Sequence, residues 1–357
     1  MSTGPNLVDV LDAHRFDEAA LLKWLQKHIP EFGDDLEVKQ FQGGQSNPTF
    51  LLTSGGKRYV LRKKPPGKTL PSAHMVEREY KVIRALSDNT DVPVPKARVL
   101  CEDSDLIGTP FYVMDYMEGR VVSHPALKEL DRAERRPVHH AAIDTMAKMH
   151  AVDVNEVGLG DFGRPEGYVA RQVARWSKQY EASKTGDMPS MDKLMKWLPE
   201  NLPAKDECAI AHGDYRLGNL MLHPEKPEVI AILDWELSTL GHPLADLAYY
   251  CLPYHLSSDF EGMRGLIGED LEELGIPDEQ ETIERYCKAS GRESLDDWHV
   301  FLAFSLFRLA AILQGVYARA LAGNASNADA LEVGKRAHVL ADVGWAIAQQ
   351  GSKGSAV

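Results

Sequence analysis

The feature that most constrains this chain is a series of short apolar runs broken by polar turns between positions 208 and 248. Residues 208–211, 220–222 and 229–233 read as short strands, and the turns around them carry Asp214, Asn219 and Asp234. Asp214 and Asn219 lie five apart on one turn, and Asp234 follows the next apolar run, so a single fold-back can gather all three. Strand ends hold side chains still. Two carboxylates and an amide oxygen form a hard-oxygen set suited to Mg²⁺.

Phosphoryl transfer from a nucleotide needs metal ions against the phosphate charge and an acceptor oxygen beside a carboxylate that takes its proton. Asp214 suits the carboxylate role; Asn219 and Asp234 suit the metal. Order and spacing resemble the H-R-D-L-x-x-x-N loop and D-F-G triplet of protein kinases, with His212-Gly213-Asp214 and Asp234-Trp235-Glu236 in their places. With Gly-His-Pro-Leu-Ala-Asp-Leu-Ala at 241–248, the chain resembles the aminoglycoside phosphotransferase and choline kinase superfamily. Within it, the similarity is to the phosphotransferase-like domain joined to, or encoded beside, acyl-CoA dehydrogenases, from about Glu37 onward. The resemblance implies an α+β, two-lobed protein-kinase-like fold. A small antiparallel-sheet lobe is expected over residues 1–116 and a larger, mainly helical lobe over 117–357, with the active site between them. It also implies that His212 braces the loop and that Asp246 pins it through hydrogen bonds.

The 357 residues suffice for two cores, and their 44% hydrophobic content is that of a globular protein. Forty basic against fifty-three acidic residues leave a net charge of −13, which disfavours nucleic acid as a partner. Cys101, Cys208, Cys251 and Cys287 form no C-x-x-C pair, and His139, His140 and His150 lack zinc spacing. Free thiols and the lack of a basic region followed by an apolar run at the start point to the cytoplasm. The apolar stretch 300–316 is interrupted by Arg308 and Gln314, so it reads as a buried helix and no membrane partner is expected.

Taken in order, residues 7–29 carry helical spacing with Asp17 as a cap. Strands are expected at 38–41, 49–53 and 58–62, the last two joined by a Ser-Gly-Gly hairpin. The Gly-Gly-Gln-Ser-Asn turn at 43–47 can lower backbone amides onto phosphates, which nominates Gly44, Ser46 and Asn47. Arg62 stands in register with the lysine of the kinase V-A-I-K strand, and its fork can hold the α- and β-phosphates. Lys63 alternates to the other face and is expected in solvent, with Lys64 and Lys68 as surface charges. On a helix over 75–86, Glu79 is the candidate partner of Arg62 and Glu77 the runner-up. Further strands are expected at 97–100 and 111–115. By resemblance, residues 114–119 connect the lobes, with Asp115 and Met117 offering backbone groups to adenine. Helices are expected at 130–150, 169–183 and 191–198, and four more ending near 349, of which 298–321 and 330–348 make an apolar base.

The expected function is an ATP- and Mg²⁺-dependent phosphotransferase acting on a hydroxyl of a small molecule. Resemblance to the dehydrogenase-associated domains suggests a hydroxyacyl-CoA, with aminoglycosides, choline or another hydroxylated metabolite as alternatives. Arg171, Arg175, Lys178 and Arg308 are candidates for the basic surface that such an anion needs. No Ala-Pro-Glu segment follows Asp234, which argues against a protein substrate. A catalytically silent nucleotide-binding module would need loss of a metal or base residue, and all three are present. No flavin fingerprint supports a dehydrogenase.

Overall fold

The computed structural model describes residues 6–42, 47–67, 74–259, 264–323 and 330–351. Their elements are, in chain order, β1 (Leu7–Val8), α1 (Glu18–His28), β2 (Glu37–Phe41), β3 (Thr49–Ser54), β4 (Lys57–Lys63), α2 (Val76–Asn89), β5 (Ala97–Cys101), α3 (Ser104–Ile107), β6 (Phe111–Asp115) and β7 (Arg120–Val121). Then follow α4 (Arg132–His150), α5 (Tyr168–Ser183), α6 (Pro189–Glu200), β8 (Ala209–Ala211), β9 (Leu220–Leu222), β10 (Val229–Ile232), β11 (Thr239–Gly241) and α7 (Pro243–Cys251). The chain closes on α8 (Leu271–Leu274), α9 (Glu279–Ser290), α10 (Trp298–Leu321) and α11 (Ala330–Gly351).

Packing divides these elements into two compact units. The first takes the chain up to Val121 together with Asn155–Leu159 and Asn219–Ser238; the second takes Val122–Val154, Gly160–Gly218 and everything from Thr239. This division differs from a boundary between 116 and 117, because β9 and β10 pair with β7 and so leave the helical unit that precedes and follows them. Between Gly218 and Asn219 the chain passes from one unit to the other.

In the first unit a six-stranded antiparallel sheet runs in the order β1-β2-β3-β4-β6-β5. The start of the chain departs from the helix expected over 7–29. Leu7 and Val8 pair with β2, and the helix begins only where the Asp17 carboxylate accepts the Ala20 N–H at 2.9 Å. The hairpin between β3 and β4 turns on Gly55 and Gly56, whose φ of +56° and +73° suit the two-residue turn that matches strand twist.

Alternation along β4 sends Tyr59 and Leu61 into a core with Leu21 and Leu25 of α1, Phe50, Leu52, Phe111 and Val113. Each of these side chains contributes about 1.5–3 kcal/mol by leaving water. Lys63 follows the same alternation but does not reach solvent. It is 5% exposed, donates to the Ile107 carbonyl at 2.8 Å and lies 5.1 Å from the Phe16 ring. The face opposite Arg62 is roofed by the segment around α1 and α3, so period two predicts the direction of Lys63 but not what covers it. Burial pushes its pKa down.

The second unit is built on α10. Its Phe301, Phe304, Leu306 and Phe307 are buried, and it packs against α11, α5, α7 and α6. Among the described residues it is the one helix long and apolar enough to cross a bilayer, and 67% of its most apolar window is buried inside the protein. After the 208–233 stretch five α-helices follow rather than four, the extra one being the single turn α8. The strands β8 and β11 pair antiparallel, Ala211 opposite Thr239, and they fix the start of the His-Gly-Asp loop.

Candidate active site

In the first unit, Arg62 on β4 is the centre of a buried ion network. Its Nε lies 2.8 Å from Glu79 Oε2, its Nη2 2.8 Å from Asp234 Oδ1 and 3.6 Å from Glu236 Oε2. Glu79, and not Glu77, is therefore the α2 partner of Arg62; Glu77 pairs with Lys64 at 2.9 Å. Glu79 is 1% exposed and receives two more hydrogen bonds, from Asn47 Nδ2 at 2.7 Å and the Tyr112 hydroxyl at 3.0 Å. Burial pushes the Glu79 carboxyl up to about 7, against the pull of Arg62 and Tyr112 toward the ionised form. Burial also works against the Arg62 charge, yet Glu79, Tyr112, Asp234 and Glu236 together raise its pKa above that of ordinary arginine.

The pairing of β9 with β10 sets Leu220 opposite Ile232, and one step further the Leu233 N–H donates to the Asn219 carbonyl at 2.8 Å. Asn219 and Asp234 are thereby brought to the same end of one hairpin. Asp234 adopts φ +62°, a left-handed conformation that aspartate tolerates better than most residues. Asn47, expected on a phosphate-binding turn, has its side chain on Glu79 and beside His74 Nδ1 at 3.1 Å. Gly44, Ser46 and Lys68 lie outside the described residues. On the connector, the Asp115 carboxylate accepts from Arg98 at 2.6 and 2.9 Å, and its N–H donates to Lys96 O at 2.9 Å. Its carbonyl is thus the backbone group through which Asp115 can meet a ligand; Met117 follows two residues later.

In the second unit, the loop of His212, Gly213 and Asp214 is held residue by residue. Asp246, in the first turn of α7, accepts the His212 N–H at 2.7 Å and the Gly213 N–H at 2.8 Å. His150 Nε2 stands 3.3 Å from the same carboxylate, and its Nδ1 2.8 Å from the Tyr286 hydroxyl. Burial opposes the charge on Asp246, but His150, His212 and the Gly213 N–H hold its carboxyl below the ordinary range. Gly213 has φ +81°, which a side chain would strain, and its carbonyl accepts from Arg308 at 2.6 Å. His212 is fully buried, and its Nδ1 accepts the Asp214 N–H at 3.2 Å. It braces the loop. The Asp214 side chain is 22% exposed and receives Arg216 Nε at 3.3 Å; burial, and then the Asp214 charge, push the Tyr249 hydroxyl's pKa up.

Beside this loop the second unit holds a half-open cavity of about 410 Å³. Arg216 and Tyr249 line it, and its apolar wall includes Leu252, Leu309, Leu313 and Val333. Arg264 and Arg336 add two more guanidinium groups, and none of the described residues lining it carries a carboxylate. Arg171, Arg175, Lys178 and Arg308, expected to supply a basic surface, do not line this cavity. Arg308 instead lies 5.9 Å from the Trp176 ring and 6.0 Å from the Tyr249 ring.

Sequence reasoning missed Tyr112, Glu236, Tyr249 and the cavity arginines. Tyr112 could have been found, since it is the direct antiparallel neighbour of Arg62. The arginines could not, because helices and loops far apart in the chain bring them together.

Residues 37–293 match the model of the Phosphotransferase enzyme family. Acyl-CoA dehydrogenase family member 10 of Mus musculus is 44% identical over 342 residues, covering 96% of this chain and 32% of that protein. A provisional aminoglycoside phosphotransferase from Ralstonia eutropha, solved by crystallography, is 46% identical with a TM-score of 0.87, covering 94% of this chain and 99% of that one. A thermostable aminoglycoside phosphotransferase solved with ADP and hygromycin B reaches a TM-score of 0.59 at 16% identity, over 93% of this chain and 99% of its own, a likeness of fold. The chain spans between about a third and a half of the length of the curated relatives it matches. The α+β fold expected from the sequence, an antiparallel sheet followed by a helical region, is the fold of these phosphotransferases.

Proposed function

The chain belongs to the phosphotransferase enzyme family, and from that premise we propose that it transfers the γ-phosphoryl group of ATP to a hydroxyl of a small anionic acceptor, with Mg²⁺ as cofactor. The observation that carries this reading is the Arg62 fork, bridging Glu79 and Asp234 at 2.8 Å each. A guanidinium anchored on one side by a buried carboxylate and on the other by a prospective metal ligand has the electrostatics of a phosphate clamp.

Asn219 and Asp234 would hold Mg²⁺. An amide oxygen and a carboxylate are hard donors, and Mg²⁺ takes only one or two carboxylates where phosphates and water complete its shell. That fits a protein in which, among the described residues, no group of three or more His, Cys, Asp or Glu forms a cage. The metal, when bound, offsets charge on the phosphates. Arg62 would hold the α- and β-phosphates, the Asp115 carbonyl and Met117 N–H would receive the adenine edge, and Asp214 would take the proton of the acceptor hydroxyl. The acceptor oxygen then bonds to the γ-phosphorus as the bond to the ADP oxygen breaks. Gly44 and Ser46, outside the described residues, stay candidates for contacting the phosphates, and Asn47 is tied to Glu79 through its side-chain amide. Four unpaired cysteines support a reducing compartment, the cytoplasm.

For the acceptor we favour a hydroxyacyl-CoA. Support comes from the cavity beside Asp214, whose apolar wall suits an acyl chain and whose three arginines suit an anion. A polycationic aminoglycoside or choline would face those arginines without a lining carboxylate. Incubation with Mg-ATP and a panel of hydroxyacyl-CoAs, aminoglycosides and choline, read by mass spectrometry for phosphorylated product, tests the assignment. Product is expected from the thioesters; phosphorylation of the cationic acceptors alone would overturn the acceptor class.

A further inference from the structure

Two of the cavity arginines converge on one residue, Ser123, in the stretch that follows β7. Arg264 Nη1 donates to the Ser123 carbonyl at 3.0 Å. Arg216 arrives by way of Gly218: a Cβ built on that glycine would stand 2.5 Å from Arg216 Nη1 and 3.3 Å from the Ser123 Cβ, so the bare glycine makes room for the guanidinium beside the serine. Arg216 therefore reaches Ser123 with one end of its fork while its Nε stays on Asp214 at 3.3 Å. All three residues line the same cavity.

Arg264 is held in place by its own strap of chain. Its φ of +53° is a left-handed conformation that a bulky side chain rarely adopts without support. The next two N–H groups supply that support, Leu266 donating to the Pro253 carbonyl at 2.8 Å and Ile267 to the Leu256 carbonyl at 2.9 Å. Gly265 lies so close to Leu256 that any side chain there would meet its carbonyl oxygen. Among the described residues the Arg264 guanidinium meets a neutral carbonyl and no carboxylate, and Glu269, the acid five residues on, is taken by Lys128 at 2.9 Å. Exposure then divides the cavity. Tyr250, Leu252, Leu256 and Leu266 are buried, whereas Arg264 is exposed, the Arg216 side chain is 46% exposed and Ser123 is half-buried. The positive groups stand at the mouth, with the apolar wall behind them.

We infer that Ser123, Arg216 and Arg264 form a phosphate-recognition site at the cavity mouth, seating a phosphate that the acceptor carries apart from its reacting hydroxyl. Two guanidinium forks and a serine hydroxyl offer more donors than a carboxylate needs, since one fork already matches a carboxylate, and they suit the several acceptor oxygens of a phosphate. The inference rests on the phosphotransferase reading above and adds an orientation to it. The acyl part of a hydroxyacyl-CoA enters among the leucines, and the phosphates of its carrier stop at the mouth.

The test is binding of coenzyme A itself, which has the phosphates and no acyl hydroxyl, to the full chain by calorimetry, with saturating ADP filling the nucleotide site. Pantetheine, which lacks every phosphate, is the comparison. The wild type is expected to bind coenzyme A at least about tenfold more tightly than pantetheine. Arg264→Met should weaken coenzyme A by about tenfold and Ser123→Ala by about threefold, with pantetheine, ATP affinity and melting temperature unchanged. Arg264→Lys should recover part of the loss, because the charge returns without the fork. Arg216 is left in place, since it also holds Asp214. Equal binding of coenzyme A and pantetheine by the wild type, or equal coenzyme A affinity in the wild type and Arg264→Met, would overturn the proposal. So would an equal loss of ATP affinity in Arg264→Met, which would give the site to the nucleotide, or full displacement of coenzyme A by an equal concentration of inorganic phosphate, which would give it to the free ion. Absence of phosphoryl transfer to every thioester, alongside coenzyme A binding that depends on Arg264, would instead remove the functional reading and leave the site standing.

Discussion

Replacing Arg62 with methionine keeps much of the side-chain volume and removes the charge that faces Glu79. The wild-type carboxyl, pushed up to about 7 by burial, ionises in the folded protein only above that pH. Its ordinary value when unfolded is 4.5. A folded-state pKa above the unfolded one gives stability that is complete below 4.5 and is lost as pH rises through about 7. In Arg62→Met the carboxyl loses its counter-ion, so its pKa rises further and the window of loss extends upward. Below pH 7 the carboxyl is neutral in both proteins, and the substitution costs mainly the contacts of Arg62 with Asp234. Above pH 7 the deficit should grow by about 1.4 kcal/mol per unit. It should approach the 3–5 kcal/mol typical of orphaning a buried charge. Urea denaturation followed by tryptophan fluorescence at pH 6, 7.5 and 9 measures it. Adding Glu79→Gln should flatten the pH dependence. A deficit that stays constant from pH 6 to 9, or that survives unchanged in the double variant, would refute the account of Glu79 as a buried acid held by Arg62.

Asp214→Asn should lower turnover by about 10²–10⁴ while nucleotide binding, measured by calorimetry, survives. Asp234→Asn keeps a side chain that tolerates φ +62° but loses the carboxylate charge, so it should weaken Mg²⁺-dependent ATP binding, and excess Mg²⁺ should partly restore it. His139, buried and pushed down to about 4 by desolvation, adds stability above its usual 6.5 that is lost as pH falls toward 4. That amounts to about 3 kcal/mol over the window. In His139→Gln the fall in urea midpoint between pH 7 and 4.5 should therefore shrink.

The strands of the first unit and the His-Gly-Asp loop were legible because each is written in local signals. Period-two alternation gave 49–53 and 111–115 nearly to the residue, and Gly213 marks a backbone angle that few other residues reach. Asp246 was legible as a clamp only through resemblance; its hydrogen bonds span 33 and 34 positions. Local signals stopped at Lys63, where alternation gave the direction and Ile107 at the end of α3, with Phe16, decided the environment. They stopped again at Asn47, whose partner Glu79 lies 32 residues away on another element. The cavity was illegible for the same reason. Arg216, Arg264 and Arg336 share no spacing and meet only after the helices have packed.

The cavity wall contains one more group, His139, whose ring lies between the Tyr250 hydroxyl at 2.7 Å and the Pro125 carbonyl at 2.9 Å. Because burial keeps that imidazole neutral down to about pH 4, it contributes no charge there under physiological conditions. Arginine keeps its proton at any pH a folded protein survives. The receptacle thus carries a fixed positive complement that acidification of the surroundings does not change. Any pH dependence in how a ligand enters it must be brought by the ligand's own ionisation, so comparing a carboxylate with a phosphate of the same carbon skeleton would read the ligand rather than the protein.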